Sequence, residues 1–464
     1  RRYLSPSGTA HPRTEDIMSK LIDNIGGNQP VTEAAAPLRL PPREPRPGRA
    51  RHFLSGLAAL AAVLVIVLLT VAIFASHAHT AGPGTPPPTA TAMASAPVQS
   101  YPFKLIPGSY TELNAVSMLS AGEGWAVGAQ DTTGNSMSEH TMALVAHYSN
   151  GRWLQINPPA KGRLTGISML SASDGWAVGD QGLLLHFDGH TWKKVNSPIQ
   201  GDIARVQMLS ATDGWAIVEH PGSIWHYNGR SWSQQPLPAS LGVDANNIVP
   251  FALSMVSSTE GWVVGNYFPT QQALAAQGMF SAGSATNGFI LHYANGQWTL
   301  QSHFQGTALR TVSMTSASEG WAAGNIFVNQ NPLPLLLHYT GGKWEQVANP
   351  PDTDKDLLEF DQILMNAPTD GWLVGFDGIR SGVPQLLHYT NGQWTATSAP
   401  AIPDTGSYII SGISMTSMAQ GWAVGSRISG PQEGKPDPGG QGYQPTNLQV
   451  FLHYDAGVWS VVQS

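Results

Sequence analysis

The chain has 464 residues, with 23 Lys and Arg against 30 Asp and Glu, a formal net charge of −7, and no cysteine. Without cysteine it can form no disulfide and offers no thiolate as a metal ligand or nucleophile. Residues 1–100 hold nine of the basic and five of the acidic residues, which leaves fourteen and twenty-five for residues 101–464. An acidic domain is a poor partner for phosphate backbones, so we expect no nucleic-acid binding.

The first predicted segment, residues 1–52, is a basic and mostly disordered tail. Residues 53–75 follow as a predicted transmembrane helix, because residues 53–74 carry no charge and would span roughly 33 Å as a helix. Five arginines lie within residues 39–51, just before the apolar run, and the next Lys or Arg after it is Lys104. The positive-inside rule therefore predicts a single-pass protein of the cell membrane with a cytoplasmic N-terminus and an extracytoplasmic remainder. A cleaved signal peptide is the alternative, although the run is long for one.

Residues 76–100 are rich in Pro, Thr and Ala and cannot bury a core, so they are predicted to be an extended linker. Residues 101–464 are predicted to form one domain, because from about residue 110 onwards a single unit recurs seven times. Each unit has a Gly-Trp step and, later, a His followed six residues on by a second Trp. The Gly-Trp steps fall at Trp125, Trp176, Trp215, Trp262, Trp321, Trp372 and Trp422. A period of 40 to 60 residues is typical of repeat architectures.

Each unit divides into four short apolar runs separated by turn signals and shows no helical period. In the second unit these runs are residues 164–169, 176–178, 183–187 and 192–195. The glycine before each repeated tryptophan is predicted to supply the positive φ of the first turn, and Asn-Gly or Asp-Gly steps predict the last hairpin. The fold class is therefore all-β, a seven-bladed β-propeller of four-stranded antiparallel blades preceded by one transmembrane helix.

The repeated residues also resemble a known group. Gly-Trp-Ala-Val-Gly followed by Leu-Leu-His-Tyr-x-x-Gly-x-Trp is similar to the repeats of sialidase-type (BNR or Asp-box) propellers, and most similar to bacterial proteins like photosystem II stability and assembly factors. Only Asp188-Gly189-His190-Thr191-Trp192 keeps part of an Asp-box, which in that group is a structural turn. The resemblance implies the fold and leaves the activity open, because propellers host unrelated functions.

The connections between strands alternate between the two ends of a propeller. Those within the first and last hairpins of each unit are short and uniform, and we call their side the turn face. The others vary widely in length, at residues 233–249, 266–287, 325–334, 345–360, 376–384 and 426–447. They share the opposite side, the loop face, where binding is expected because variable loops on a rigid scaffold carry function.

Four residues are candidate ligand-binding residues near the axis. Arg163, Arg205 and Arg310 lie just before or within predicted innermost strands, and Asp361 lies in another. A sialidase would need three arginines converging on a substrate carboxylate, an acid/base carboxylate and a Tyr/Glu pair. The simpler interpretation pairs each arginine with its own acid.

Two further sets of residues could bind a metal. Asp352, Asp354 and Asp356 alternate as a hard cation such as Ca²⁺ would require, although Leu357 and Ile363 stand where an EF-hand needs Gly and Glu. The alternative is a solvated acidic loop. The seven repeated histidines lie on third strands, roughly 10 Å outside the innermost ones, so symmetry keeps them apart and predicts a hydrogen-bonded scaffold role.

These patterns together predict a membrane-anchored, extracytoplasmic propeller that binds a protein, peptide or glycan on its loop face without catalysis and without an obligatory cofactor. Two alternatives stay open. One is a sialidase-like glycan hydrolase, and the other is the sensor domain of a transmembrane signalling or anti-sigma-type regulator.

Overall fold

The computed structural model describes residues 103, 110–131, 140–156, 158, 160–268, 286–328, 331–350, 359–376, 384–402, 408–428 and 447–462. All of them belong to one compact unit, Ser95–Ser464. The predicted tail, transmembrane helix and linker, at residues 1–52, 53–75 and 76–100, lie outside the described residues. Within the described ranges, no helix is both long and apolar enough to span a membrane.

Within the described residues, twenty-eight strands form seven four-stranded antiparallel sheets, and each sheet takes its strands in chain order. The first strands are β1 Tyr110–Ser120, β5 Leu164–Ser171, β9 Ile203–Ser210, β13 Ile248–Ser257, β17 Thr307–Ser316, β21 Glu359–Ala367 and β25 Tyr408–Ser417. The second strands are β2 Glu123–Asp131, β6 Asp174–Gly179, β10 Asp213–Val218, β14 Glu260–Tyr267, β18 Glu319–Val328, β22 Asp370–Phe376 and β26 Gln420–Ile428.

The outer half of each sheet follows the same order. The third strands are β3 Met142–Ser149, β7 Leu184–Phe187, β11 Ser223–Tyr227, β15 Asn287–Ala294, β19 Asn331–Thr340, β23 Pro384–Thr390 and β27 Asn447–Asp455. The fourth strands are β4 Arg152–Ile156, β8 Trp192–Lys194, β12 Trp232–Gln235, β16 Gln297–Gln305, β20 Lys343–Gln346, β24 Gln393–Thr397 and β28 Val458–Val461. Three short 3₁₀ helices, Asp180–Gly182, Ala239–Leu241 and Ala245–Asn247, lie in loop-face connections. The seven-bladed propeller predicted from the sequence is confirmed.

The sheets form a closed ring, because the first strand of each blade packs against the first strands of both neighbours. We call each interface between consecutive blades a joint. At every joint the repeated tryptophan of one blade meets the Tyr or Phe of the next at 4.5 to 5.7 Å between ring centroids. The series ends with Trp422 of blade 7 against Tyr148 and Trp153 of blade 1. Phe103 packs against Phe451 of blade 7, so the chain contacts this last joint before β1 begins.

The repeated tryptophans form the core between blades, and each is at most 5% exposed. Trp176 and Val178 face blade 3, whereas Ala177 faces blade 1, so large and small side chains alternate between the two sides of this strand. A buried aromatic side chain removes about 150 to 250 Å² from water, so apolar burial between blades is a major stabilising term.

The glycine before each repeated tryptophan serves a different purpose from the one predicted. None of these seven glycines has a positive φ. Instead, a methionine of the first strand lies opposite each glycine, and a Cβ there would fall 2.1 to 2.3 Å from the methionine Sδ. The methionines are Met118, Met169, Met208, Met255, Met314, Met365 and Met415. Glycine is therefore required to make room for a thioether, and the turn prediction was wrong.

The last hairpin of each blade follows its sequence signal. Five blades turn on two consecutive residues with positive φ, as at Asn150 and Gly151, which is the two-residue geometry matched to strand twist. Blades 2 and 3 have longer turns, in which Asp188 and Asn228 accept hydrogen bonds from backbone N–H groups two and three residues on. A bond from Lys193 and those backbone bonds lower the pKa of Asp188. One connection differs from the prediction: residues 325–334 are largely strand, because Asn325 pairs with Pro334 in the β18–β19 ladder.

Candidate functional site

The repeated histidines are part of the scaffold. All seven lie over the tryptophan of their own blade, with ring centroids 4.0 to 4.6 Å apart. In blades 1 to 6 the histidine Nε2 also donates to the Asp or Glu at the start of the second strand, at 2.5 to 2.9 Å. Blade 7 has Gln420 in place of that carboxylate. The predicted hydrogen-bonded role of the histidines is confirmed in those six blades.

One layer of the innermost strands has no common residue type. Each first strand has an irregularity in its register four residues before its methionine, towards the loop face. The residues at this position are Asn114, Thr165, Ala204, Phe251, Arg310, Asp361 and Ser411. The next position also varies and contains Arg205, where other blades have Ala, Gly, Thr or Gln. We call these two positions the axial layer, and two of the three predicted arginines lie in it.

Arg163 lies just before β5 and is held by its own blade. Its guanidinium donates to Asp180 Oδ1 at 3.2 Å from one nitrogen and at 3.4 Å from another. Desolvation lowers the pKa of Arg163, but the charge and hydrogen bond of Asp180, with smaller contributions from Glu112 and Tyr110, raise it overall. On the neighbouring strand β1, the Tyr110 hydroxyl and the Asn114 amide both donate to the buried Glu112 carboxylate. Arg163 is thus paired with an acid, as the simpler interpretation of the sequence predicted.

Arg205 lies in β9 and is exposed, although it belongs to an innermost strand. Desolvation nevertheless lowers the pKa of its guanidinium, against the opposing charges of Glu219 and Asp361. A side chain that is both exposed and desolvated contacts water but is largely surrounded by protein. This is the environment expected in the channel along the axis. Asp361 belongs to blade 6, three blades away around the ring, and is also exposed. Arg205 and Asp361 are thus exposed, oppositely charged side chains on the innermost strands of different blades, and the charge of Asp361 opposes the lowering of the Arg205 pKa.

Arg310 has a third kind of environment. Its guanidinium carbon lies over the ring of Phe251 in the preceding blade, 5.4 Å from the ring centroid, in a cation–π arrangement. Among the residues that the structure describes, the buried Nε atom of Arg310 has no hydrogen-bond partner. The three arginines thus have different neighbours: an acid for Arg163, the channel for Arg205 and an aromatic ring for Arg310.

Glu219 interacts electrostatically with Arg205, but it was not among the residues predicted from the sequence. It follows β10 in blade 3 and is half-buried. Burial raises the pKa of its carboxyl group, and Arg205, His220 and Arg163 oppose that effect. A signal was present, because the same position after the repeated tryptophan holds Asn266 in blade 4 and Ser426 in blade 7, both of which contact the next blade.

The predicted calcium ligands Asp352, Asp354 and Asp356 lie outside the described residues. Within the described ranges, no three His, Asp or Glu side chains are grouped as a metal site would require. Most of the loop-face connections that differ in length, including residues 269–285 and 429–446, also lie outside those ranges. The described part of the site is therefore the channel end formed by the innermost strands.

These features define the class of the protein as a seven-bladed β-propeller with an asymmetric, charged channel end. No family model matches the chain, and no curated protein matches it either. Among solved structures, one of YCF48 bound to D1 peptide is similar at 17% identity and a TM-score of 0.47, covering 72% of this chain and 96% of that chain.

Two other solved structures show comparable similarity. The WD40 β-propeller domain of Doa1 has 11% identity and a TM-score of 0.45, over 71% of this chain and 94% of that chain. An acylaminoacyl peptidase from Pyrococcus horikoshii has 9% identity and a TM-score of 0.48, over 77% of this chain and 52% of that chain. At such identities the likeness concerns the fold alone.

Proposed function

We propose that this chain is a non-catalytic binding module that holds a segment of a protein or peptide at the loop-face end of its central channel. The axial layer supports this proposal. The methionine layer repeats one residue type in all seven blades for the sake of the scaffold, whereas the axial layer brings charged, amide and aromatic side chains to positions related by the ring. The observation that carries the proposal is the exposure of Arg205 and Asp361, two oppositely charged side chains on the innermost strands of blades 3 and 6.

The proposal includes the location predicted from the sequence. Anchoring by residues 53–75 with residues 76–100 as a stalk would place the propeller outside the cytoplasm, where it could act as an assembly factor or as a sensor. The apolar run and the preceding arginines support this part of the proposal. A repeat similar to BNR or Asp-box units is also part of it, supported by the turn in which Asp188 accepts two backbone hydrogen bonds.

Selection of random dodecapeptides on the full-length chain tests the binding function. We expect enriched peptides whose affinity falls about tenfold or more in Arg205→Ala and Asp361→Ala variants, because each substitution removes a charge from the channel. Matched controls are Arg230→Ala and Asp188→Ala, which change charges in turn-face hairpins. Failure to enrich any peptide, or equal losses in all four variants, would overturn the proposal.

A second candidate, glycan hydrolysis, is favoured by one observation. Tyr110 and Glu112 form a hydrogen-bonded pair, and both act electrostatically on Arg163. A Tyr/Glu pair beside an arginine is part of the sialidase-like arrangement considered above. However, Arg163 is engaged by Asp180, and Arg310 is engaged by Phe251. Release of 4-methylumbelliferone from its sialoside by the native chain, but not by Tyr110→Phe, would establish hydrolysis; equal release by both would exclude a role for this pair.

A further inference from the structure

The joint between blades 3 and 4 contains an acid that lacks the partner found at equivalent joints. Between blades 4 and 5, Asn266 Oδ1 accepts a hydrogen bond of 2.8 Å from the Leu309 N–H. Between blades 7 and 1, Ser426 Oγ accepts one of 3.3 Å from the Leu113 N–H. Glu219 occupies the same position in blade 3, four residues after the repeated tryptophan.

The residue that faces Glu219 in this pattern is Pro250. It lies five residues before Met255, as Leu309 lies before Met314 and Leu113 before Met118. Proline has no backbone N–H to donate. The carboxylate of Glu219 therefore loses the interaction made by its equivalents, and because it is half-buried it also loses part of its contact with water. Glu219 is therefore a half-buried acceptor for which the next blade supplies no backbone donor at this position, and its oxygens are available to a donor from a ligand.

Arg205 lies beside this acceptor. It pairs with Ile217 in the β9–β10 ladder, and Glu219 lies two residues after Ile217, just beyond the end of β10. The Glu219 N–H donates to the Asp202 carbonyl oxygen at 3.1 Å, so the chain at Glu219 still runs beside the strand that carries Arg205. Such diagonal neighbours are within reach of long side chains. Yet among the described residues no carboxylate lies within the 4.0 Å of a salt bridge from the Arg205 guanidinium. Its one hydrogen bond within that part of the chain runs from Nη1 to the Ala204 carbonyl oxygen, at 2.9 Å.

The charges of Arg205 and Glu219 influence each other, but within the described residues the two groups do not form a salt bridge. An anionic ligand would be attracted by Arg205 but repelled by Glu219, and a cationic ligand would meet the reverse. A neutral group that carries an acceptor and a donor side by side is attracted by both. An amide has this arrangement, with a carbonyl oxygen that accepts and an N–H that donates.

We propose that Arg205 and Glu219 form a split ion pair that binds an amide group of the ligand, with the guanidinium donating to the carbonyl oxygen and the carboxylate accepting from the N–H. This inference rests on the proposed binding function, whose site it makes specific. Both hydrogen bonds would involve a charged partner, which makes them stronger than bonds between neutral groups. The favoured source is the backbone of a bound peptide, because an extended chain presents one such unit per residue.

Titration of the full-length chain with small amides tests the pair directly. The probes are N-methylacetamide for a backbone unit, acetamide for an Asn or Gln side chain and N-acetylglucosamine for a sugar. Methyl acetate, which has a similar shape but no N–H, is the control. We expect the Arg205 Nε–H resonance of arginine-labelled protein, assigned from its absence in Arg205→Lys, to shift with N-methylacetamide and not with the ester. Equal shifts with amide and ester, or no shift with any amide, would overturn the proposal.

Variants separate this inference from the binding function itself. For peptides selected on the native chain, Arg205→Leu and Glu219→Leu should each weaken binding about tenfold or more, as expected when one partner of a charge-assisted hydrogen bond is lost. Glu219→Gln keeps a carbonyl acceptor and should lose less. Arg230→Leu, in the outer hairpin of the same blade, should have no effect. If the selected peptides bind all these variants equally, the amide site is wrong but the proposed binding function is not. If no peptide can be selected on the native chain, the proposed binding function itself is contradicted.

Discussion

The joint between blades 6 and 7 and the joint between blades 3 and 4 depart from the common pattern in opposite directions. At six joints, a polar side chain three residues before the end of the first strand accepts a hydrogen bond from the methionine N–H of the next blade. Between blades 3 and 4 this residue is Gln207, which also donates to the Met255 carbonyl oxygen at 3.0 Å. Between blades 6 and 7 it is Leu364, which can form no such bond.

The second contact between blades shows the same contrast. Blade 6 has Phe376 where blade 3 has Glu219, so one joint is apolar at a position where the other carries a charge. Between blades 6 and 7 a continuous apolar cluster includes Trp372, Ile410 and Trp459. The difference shows that neighbouring blades of this ring can be joined either by polar or by purely apolar contacts at these positions. The joint between blades 3 and 4 carries a charged residue beside the exposed Arg205, which is the arrangement expected of a binding site. The joint between blades 6 and 7 has apolar residues at the same positions, which is the arrangement expected of a packed core.

The largest expected effect is the loss of a core tryptophan. Trp372→Ala and Trp215→Ala should each reduce the free energy of unfolding by about 3 to 5 kcal/mol, because both side chains are fully buried. The loss should be greater for Trp372, because the joint between blades 6 and 7 has only apolar residues at the two positions compared above. The joint between blades 3 and 4, where Trp215 lies, also has the hydrogen bonds of Gln207. Urea unfolding of both variants measures this difference. Trp225→Ala, which removes a partly exposed tryptophan, is the control, and the opposite ranking would break the comparison.

A smaller effect is expected when Gln207 of blade 3 is replaced by leucine, the residue that blade 6 has at this position. Gln207→Leu leaves the Met255 N–H and carbonyl oxygen without their side-chain partner and should reduce the free energy of unfolding by about 1 to 3 kcal/mol. Gln207→Ser should recover part of this loss, because serine supplies the acceptor at five other joints. Equal stability of the leucine variant and the native chain would show that the hydrogen bonds make no net contribution.

The reverse exchange should have little net effect. Leu364→Ser gives the Met415 N–H an acceptor equivalent to Ser414, but it removes a partly buried side chain from the apolar cluster. The gain of about 1 kcal/mol from a hydrogen bond should nearly offset the loss of apolar burial. We expect an unfolding free energy within about 1 kcal/mol of the native value. Leu364→Ala is the control, because it also removes the apolar side chain but supplies no hydrogen-bond acceptor. Equal stability of the serine and alanine variants would contradict the proposed hydrogen bond.

The sequence was sufficient to predict the seven blades, because two tryptophans and a histidine mark every repeat. It misled on the glycine before each tryptophan, whose neighbour Met118 or its equivalent lies on another strand and is identified only once the register is known. The role of the predicted site residues in binding stays a prediction. Arg205 and Asp361 were selected as charged residues of innermost strands. Glu219 was missed, because its significance depends on Pro250 in the next blade, and that juxtaposition follows from packing between blades.

The smallest expected effect concerns the charge of Glu219. Burial raises the pKa of this carboxyl group, Arg205, His220 and Arg163 oppose the shift, and Asp202 adds to it. A raised pKa in the folded state means that the native protein binds this proton more tightly than the unfolded chain does. The stabilisation from the protonated form is therefore present at acidic pH and is lost as the pH rises through the folded-state pKa. At neutral pH the ionised group lowers the stability of the joint between blades 3 and 4.

Glu219→Gln removes this titration and should raise the melting temperature at pH 7. The difference from the native chain should shrink as the pH falls and Glu219 becomes protonated in both the folded and the unfolded states. Glu345→Gln, which changes an exposed carboxylate on β20, should have little effect at any pH. A Glu219→Gln variant that is less stable than the native chain at pH 7 would mean that the carboxylate is satisfied within the protein. The departure between blades 3 and 4 would then serve packing, as the one between blades 6 and 7 does, and the contrast between the two joints would disappear.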